Sequence, residues 1–355
     1  MSRTLELTDF TSTPVDIKTF IKDPHYLGEF AKDIYPYWKE KLQGVYPNGP
    51  ISPYMEVLIE GAYGTGRTFA SIVGFLYDIY LFTLIRNPHE KYGLMSTISI
   101  NFYVANDDVA NTHICDAILD IIDNSPYFKS LLLPGKGEEL AEEMFPNRIG
   151  IVHVGSKRPH RSYLGRSIAG VLFEDYEMEG MTEKDKDFVD GLRRRIITRY
   201  MSSEGIVPCR MWIVSSAGMP DTSIVRHFHE YGPRITFSPS VWDVQAFKGI
   251  YSGETFSVFK GDDTEKPFIL EEGKVYEDFL HGNVIHVPVE YKQDFEKDIY
   301  TALRELAGIA VSAPPEEVKM PTLTVVTNDL KLNLIALYAL GMIMAFLLGY
   351  YCGMN

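Results

Sequence analysis

Residues 61–68 have the composition and spacing of a loop that binds phosphate groups. They read GAYGTGRT and follow the mostly apolar run 57–60. Glycines let a backbone turn so that several amide N–H groups point at one phosphate group. The spacing matches G-x-x-x-x-G-K-[ST] except that arginine replaces the lysine, which would place a cation by the phosphates and a hydroxyl on Mg²⁺. The predicted nucleotide-binding residues are Gly61, Gly64, Thr65, Gly66, Arg67 and Thr68.

A second apolar run, residues 168–173, ends in two acids. In nucleotide hydrolases one such carboxylate belongs to the magnesium shell and the next polarises the attacking water. We predict that Thr68 and Glu174 hold the metal and that Asp175 is the base, with ATP as substrate and Mg²⁺ as cofactor. Arg67, Glu174 and Asp175 are thus the predicted catalytic residues. An alternative places Asp175 at the metal and makes Glu177 the base.

A third apolar run ends in small residues, and arginines form two groups elsewhere. Ser215, Ser216 and Ala217 follow the run and are predicted to sense the γ-phosphate and pass its loss to a neighbouring segment. Four arginines between residues 193 and 199 are most simply a solvated helix face. An arginine finger or contacts to DNA phosphates are predicted for a second group, in the loop between the third and fourth strands: Arg158, Arg161 and Arg166.

Predicted strands and helices alternate along the chain, which is typical of a parallel sheet covered by helices. The strands are expected at 56–60, 96–105, 149–155, 168–173 and 210–215, with helices at 67–85, at 109–122 and over about 20 residues from 182. Short β-prone pieces and a helix at 294–307 predict a small lid subdomain. We therefore divide the chain into an N-terminal helical segment (1–50), a nucleotide-binding core (51–232), the lid (233–310), a linker (311–333) and an apolar tail helix (334–354).

Charge, cysteine content and one apolar segment limit the partners and the compartment of the chain. The chain has 355 residues and a net charge of −14, so its surface as a whole does not attract nucleic acid and any DNA contact needs a local basic patch. Three scattered cysteines fit neither a disulfide framework nor a zinc site, which predicts a reducing compartment. Residues 334–352 carry no charge and are long enough to cross a bilayer as a helix.

The three motifs, in this order, resemble the ATPase part of bacteriophage large terminase subunits, the motors that package DNA. The resemblance runs from about residue 20 to residue 311. Its main segments are VLIEGAYGTGRT (57–68), VGSKRPHRSYLGRSIAGVLFEDYEME (154–179), WIVSSAGMPDTSIVRHF (212–228) and VPVEYKQDFEKDIYTALRELAGIA (287–310), with IKDPHYLG (21–28) and IYPYWKEKL (34–42) before them. The chain departs from the family at Arg67 and in the reversed order of Glu174 and Asp175.

The resemblance implies an α/β fold, a P-loop NTPase of the additional-strand, catalytic-glutamate class with a lid. By match, residues 61–68 are Walker A and residues 215–217 are the coupling motif. The implied activity is ATP-driven translocation of double-stranded DNA into the procapsid. The implied partners are the portal protein, the small terminase subunit and further copies of this chain in a ring. The implied location is the host cytoplasm and, transiently, the procapsid, but not the mature virion.

The family continues into a nuclease domain, and no segment after residue 321 fits one. We therefore expect no DNA cleavage from this chain. Either the chain is a naturally split half of the motor, or its reading frame ends early, in which case the apolar tail is accidental coding. We prefer accidental coding to a membrane anchor. Two alternatives stay open. Arg67 and the reversed acids are compatible with a nucleotide-binding packaging component that does not hydrolyse ATP, and residues 334–352 with a membrane-tethered ATPase.

Overall fold

A six-stranded sheet forms the centre of the computed structural model, which describes residues 5–106, 113–155, 166–174, 183–218, 233–262, 265–271 and 283–311. Neighbouring strands are parallel and lie in the order β3-β2-β4-β5-β1-β6. The strands are β1 (Glu56–Gly61), β2 (Ile100–Asn106), β3 (Ile149–Gly155), β4 (Ser167–Glu174), β5 (Met211–Ser216) and β6 (Arg234–Phe237).

Helices connect these strands and precede them. The described helices are α1 (Ile17–Lys22), α2 (Pro24–Leu27), α3 (Pro36–Val45), α4 (Arg67–Thr83), α5 (Pro88–Lys91), α6 (His113–Asn124), α7 (Pro126–Leu131), α8 (Glu183–Tyr200), α9 (Val241–Gln245), α10 (Lys292–Lys297) and α11 (Ile299–Glu305). The result confirms the predicted α/β class. The strand β5 lies between β1 and β4. This is the position of the additional strand in a P-loop NTPase of the additional-strand, catalytic-glutamate class.

Side chains alternate between the two faces of the sheet along each strand. Each face is covered by a hydrophobic core, so both faces are buried. In β1, Val57 and Ile59 join the core formed with α3, α4 and α6, whereas Leu58 joins the core on the opposite face. Leu192 and Ile196 of α8 contribute to that second core. Strand and helix order therefore bring the carboxyl ends of β1, β4 and β5 to one edge of the sheet.

A separate antiparallel sheet lies within the segment predicted to be the lid. It contains β7 (Thr255–Phe259), β8 (Phe268–Ile269) and β9 (Val284–Pro288) in the order β8-β7-β9. Val258 and Val287 pack with Phe295 of α10 and Leu303 of α11 in a third hydrophobic core. This segment therefore has its own apolar interior, in which α10 and α11 pack against its strands.

Two sequence predictions change against the structure. Strand β2 begins at Ile100 and not at residue 96, because Ile98 closes a turn by donating its N–H to the Met95 carbonyl at 3.0 Å. Strand β6 pairs with β1, so residues 234–237, which we placed in the lid, belong to the main sheet. Apart from Val311, the linker and the predicted tail helix lie outside the described residues. Among the residues that are described, no helix combines the length and apolarity needed to cross a bilayer.

A buried ionic cluster joins α3, α4 and β5. The Asp78 carboxylate accepts hydrogen bonds from the Arg210 guanidinium, from the Arg210 backbone N–H at 3.1 Å, from Trp212 Nε1 at 3.0 Å and from the Tyr46 hydroxyl at 2.9 Å. Burial raises the pKa of the Tyr46 phenol well above its usual value, so this hydroxyl stays protonated and donates its hydrogen bond to Asp78. The cluster fixes the helix that begins at the phosphate loop against the neighbouring strand.

Gly74 of α4 lies directly under the Trp212 ring, and Gly74→Ala is expected to destabilise the fold. A Cβ at position 74 would meet the ring at 2.1 Å, and such overpacking costs roughly 1–3 kcal/mol. Gly44→Ala is the matched control, since a Cβ there would meet nothing within 4 Å and alanine is the better helix former by roughly 0.5–1 kcal/mol. Urea denaturation should show opposite shifts in the free energy of unfolding. Two shifts of the same sign would contradict the packing described here.

Candidate nucleotide-binding site

The predicted phosphate loop connects β1 to α4. Gly64 and Gly66 have φ angles of +69° and +70°, a left-handed conformation that side chains other than glycine rarely adopt. Gly66 is the residue that caps α4. A Cβ built at Gly64 would meet nothing within 4 Å, so this side of the loop is open. The strand, loop and helix predicted from residues 57–68 are present with the expected glycine geometry.

The loop presents an anion-binding surface at the start of a long helix. The helix α4 has 17 residues, its first-turn amide N–H groups have no acceptor within the helix, and its dipole favours negative charge at this end. The rest of the loop is fixed from within. The Thr65 hydroxyl donates to the Ala62 carbonyl at 2.9 Å, and Trp38 Nε1 donates to the Thr65 carbonyl at 2.7 Å. The side chain and the carbonyl of Thr65 therefore have partners within the protein, and the group that it offers to a phosphate is its backbone N–H.

The hydroxyl of Thr68 donates a hydrogen bond to the carboxylate of Glu174. The hydroxyl of Ser71, one helical turn further along α4, donates to the Thr68 carbonyl at 2.7 Å, and its oxygen lies 3.4 Å from the other carboxylate oxygen of Glu174. Glu174 is the last residue of β4 and only 1% exposed. A carboxylate and hydroxyl groups are the hard oxygen ligands that Mg²⁺ prefers, so these side chains fit the metal predicted at Thr68 and Glu174. Asp175 and Glu177 lie outside the described residues.

The guanidinium of Arg67, predicted to contact phosphate, makes hydrogen bonds to the protein itself. Its Nη1 donates to the carbonyl oxygens of Gly61 and Ala62, the latter at 2.8 Å, and its Nη2 donates to the Ser216 hydroxyl at 2.6 Å. The residue is 7% exposed, and its guanidinium carbon lies 5.5 Å from the centroid of the Tyr63 ring. The guanidinium thus joins the base of the phosphate loop to the end of β5 in this structure. Its contact with phosphate stays a prediction.

Arg67→Lys is expected to lower stability because one ammonium group cannot reach all of these acceptors. The planar guanidinium uses two nitrogens that point in different directions, whereas lysine carries a single point charge. Loss of the bond to Ser216 should cost roughly 1–2 kcal/mol. Thermal unfolding of Arg67→Lys and Ser216→Ala measures this. Ser216→Ala removes the same bond and should reproduce most of the loss; wild-type stability in both variants would contradict the bridging role.

The predicted coupling residues lie directly beside the phosphate loop. Ser216 pairs with Gly61 in the register of β5 and β1. The Ala217 N–H donates to the Gly61 carbonyl at 3.2 Å, and Ser215 donates to the carbonyl of Ser216 at 3.1 Å. Together with the bond from Arg67, these contacts connect the end of β5 to the loop. A displacement of the loop would therefore move residues 215–217 through these hydrogen bonds.

Arg166 lies at the amino end of β4, whereas the candidate nucleotide-binding site lies at the carboxyl ends of the strands. It precedes β4, whose carboxyl end carries Glu174, and its guanidinium pairs with Glu142. At roughly 3.3 Å per residue, the backbones of Arg166 and Glu174 lie about 26 Å apart along this strand. Arg166 is therefore no arginine finger for the site of its own chain, and contact with DNA or with a neighbouring subunit stays a prediction. Arg158 and Arg161 lie outside the described residues.

The arginines between residues 193 and 199 are not all a solvated face. Arg193 is 1% exposed, and its Nε lies 2.5 Å from a carboxylate oxygen of the equally buried Glu56. Its guanidinium also pairs with Asp190. Arg193 thus holds α8 against β1 and is unavailable to DNA. Sequence position alone did not distinguish it from the exposed Arg194.

Two contacting residues escaped the sequence prediction. Ser71 could have been found, because it follows Thr68 by three residues and so lies on the same helix face. The carbonyl of Glu305 accepts the N–H of Tyr63 at 3.0 Å, and nothing in the sequence around residue 305 indicates that contact. A backbone acceptor supplied by a distant segment leaves no residue-type signal.

Comparisons with known proteins complete these observations. No family model matches the chain, and no curated protein matches its sequence. Among solved structures, the HK97 bacteriophage large terminase is similar over 59% of this chain and 39% of its own, at 13% identity and a TM-score of 0.39. This chain therefore spans well under half the length of that protein. The large terminase from the thermophilic bacteriophage D6E is similar over 76% of this chain and 73% of its own, at 12% identity and a TM-score of 0.38. A structure of the D6E protein in complex with ATP-gamma-S is similar over 77% and 74%, at 13% identity and a TM-score of 0.37.

Proposed function

We propose that this chain is an ATP-hydrolysing motor subunit that translocates double-stranded DNA into a viral procapsid. The observation that supports it best is the contact between Thr68 and Glu174. It joins the end of the phosphate loop to the acid at the end of β4, two motifs about a hundred residues apart in the sequence. A glycine-rich loop alone would support only anion binding, whereas the acid beside its hydroxyl supports chemistry on a bound phosphate.

The residues of this chain divide the reaction between them. The phosphate groups of ATP would lie against the backbone of residues 64–68, where the loop is open and α4 begins. Thr68 and Glu174 would hold Mg²⁺, which supplies charge neutralisation at the phosphate oxygens when bound. Asp175 would accept a proton from the water whose oxygen bonds to the γ-phosphorus while the bond to ADP breaks. Glu177 is the alternative for that proton.

DNA and the packaging partners enter through the resemblance of the motifs and their order. The proposal includes the portal protein, the small terminase subunit and a ring of copies of this chain, working in the host cytoplasm and transiently on the procapsid. Because the net charge is −14, contacts to DNA phosphates would come from local groups of arginines. A membrane partner for residues 334–352 is the less favoured alternative.

The proposal is tested by steady-state ATP hydrolysis of the full-length chain with and without double-stranded DNA. Low salt is needed because contacts to DNA phosphates weaken steeply with salt. We expect Mg²⁺-dependent hydrolysis that DNA stimulates. Binding of ATP without hydrolysis in either condition would instead support the nucleotide-binding packaging component, for which the engagement of Arg67 by the loop carbonyls is the relevant observation. No binding of ATP would contradict both.

A further inference from the structure

The first half of the phosphate loop, residues 61–63, takes its hydrogen-bond acceptors from distant segments. The N–H of Ala62 donates to the Pro239 carbonyl at 3.0 Å, and the N–H of Tyr63 donates to the Glu305 carbonyl at 3.0 Å. Pro239 lies just before α9, and Glu305 is the last residue of α11. Both loop N–H groups therefore donate to carbonyl groups outside the loop, and these carbonyl groups fix the direction of the two N–H bonds.

Gly308 brings the same segment into direct contact with the loop. Its φ angle is +68°, and a Cβ built there would lie 2.7 Å from the Ala62 nitrogen, 3.1 Å from the Gly61 Cα and 2.6 Å from the Pro239 oxygen. All three neighbours are backbone atoms that no side-chain rotation can move away. Only glycine fits this position, because its backbone packs on the backbone of the loop.

The two supporting segments are also bonded to each other. The N–H of Val241 donates to the Leu306 carbonyl at 2.8 Å. Leu303 and Ala307 on either side are buried in the hydrophobic core of the lid. A displacement of α11 would therefore act at once on the acceptor of Tyr63 and on the packing against Ala62.

We propose that residues 305–308 complete the phosphate-binding loop by holding residues 61–63 in the conformation that binds nucleotide. The affinity for nucleotide then depends on the attachment of this segment. By thermodynamic linkage, nucleotide strengthens that attachment by the same factor. The inference rests on the proposed function, since it presumes that the loop binds ATP. It adds a positioning segment 240 residues away in the sequence, within the lid.

Gly308→Ala tests the contact, with Gly249→Ala as its matched control. Gly249 also has a left-handed φ, +61°, but a Cβ there would meet nothing within 4 Å. Both substitutions place a side chain at a left-handed φ, and only the first brings it against the loop. We expect Gly308→Ala to weaken the affinity of the full-length chain for Mg²⁺·ATPγS by about tenfold or more, while Gly249→Ala stays within about twofold. The KM for ATP should rise in Gly308→Ala with little change in kcat, because uniform binding is lost.

Hydrogen exchange on the wild-type chain gives a second test that does not depend on the variant folding. ATPγS should slow exchange at the amides of Tyr63 and Val241, the donors to Glu305 and Leu306. Equal affinities of the two variants, or exchange at these amides that ATPγS leaves unchanged, would overturn the inference. A wild-type chain that does not bind ATPγS would instead contradict the proposed function itself.

Discussion

Glu174→Gln should lower the rate of ATP hydrolysis by about a hundredfold or more. Losses of this size are expected when a residue that holds a catalytic metal or transfers a proton is replaced. The amide keeps the shape of the carboxylate but removes its charge. It also turns one acceptor into a donor beside the hydroxyl of Thr68, which itself donates. The concentration of Mg²⁺ needed for half-maximal rate should rise at the same time. The measurement is a steady-state rate titrated with Mg²⁺.

Glu143→Gln is the control for this change. Glu143 pairs with Arg148 at 2.5 Å on the surface, with 36% of its side chain exposed, and its substitution should leave the rate unchanged. A wild-type rate in Glu174→Gln would remove that residue from the site. The same assay on Asp175→Asn and Glu177→Gln identifies the base, since the base variant should bind ATP and fail to hydrolyse it.

Asp78→Asn should lower the free energy of unfolding by about 3–5 kcal/mol, because it leaves the buried Arg210 charge without its counter-ion. Asp78 and Arg210 are each 1% exposed, so water cannot replace the lost carboxylate. Guanidinium denaturation monitored by tryptophan fluorescence measures the change and also reports on Trp212, which shares the same carboxylate.

Asp123→Asn makes the same substitution in an exposed ion pair. Asp123 pairs with Lys129 at 2.8 Å, with 68% and 60% of the two side chains exposed, and surface pairs of this kind contribute only about 0–1 kcal/mol. A large loss in Asp78→Asn beside a small loss in Asp123→Asn is the expected pattern. Similar small losses in both variants would show that the buried cluster is not what holds α4 to β5.

The parts of the site that follow from local sequence were predictable. Alternation of apolar runs with helical segments predicted the parallel sheet, and Gly64 and Gly66 predicted the loop. Since carboxyl ends of parallel strands meet at one edge, the proximity of Thr68, Glu174 and Ser216 followed from the fold class. These inferences needed only residue types and their spacing along one element.

What the sequence could not supply were contacts between distant elements. The hydrogen bonds of the Arg67 guanidinium to loop carbonyls and to Ser216 are one example. Arg193 has the sequence context of an exposed helix arginine, but in the structure it is buried and pairs with Glu56. Gly308 carried no signal, because a glycine that packs on a remote backbone looks the same in the sequence as one in any turn.

The most direct test of the central claim is the affinity of the full-length chain for ATPγS, measured by titration calorimetry with Mg²⁺ and again with EDTA. The site built from residues 61–68 and Glu174 predicts one nucleotide per chain and an affinity at least about tenfold higher with Mg²⁺, since the metal would share ligands between protein and phosphates. Absence of binding, or an affinity that EDTA leaves unchanged, would contradict the assignment of this loop and this acid to a magnesium–nucleotide site.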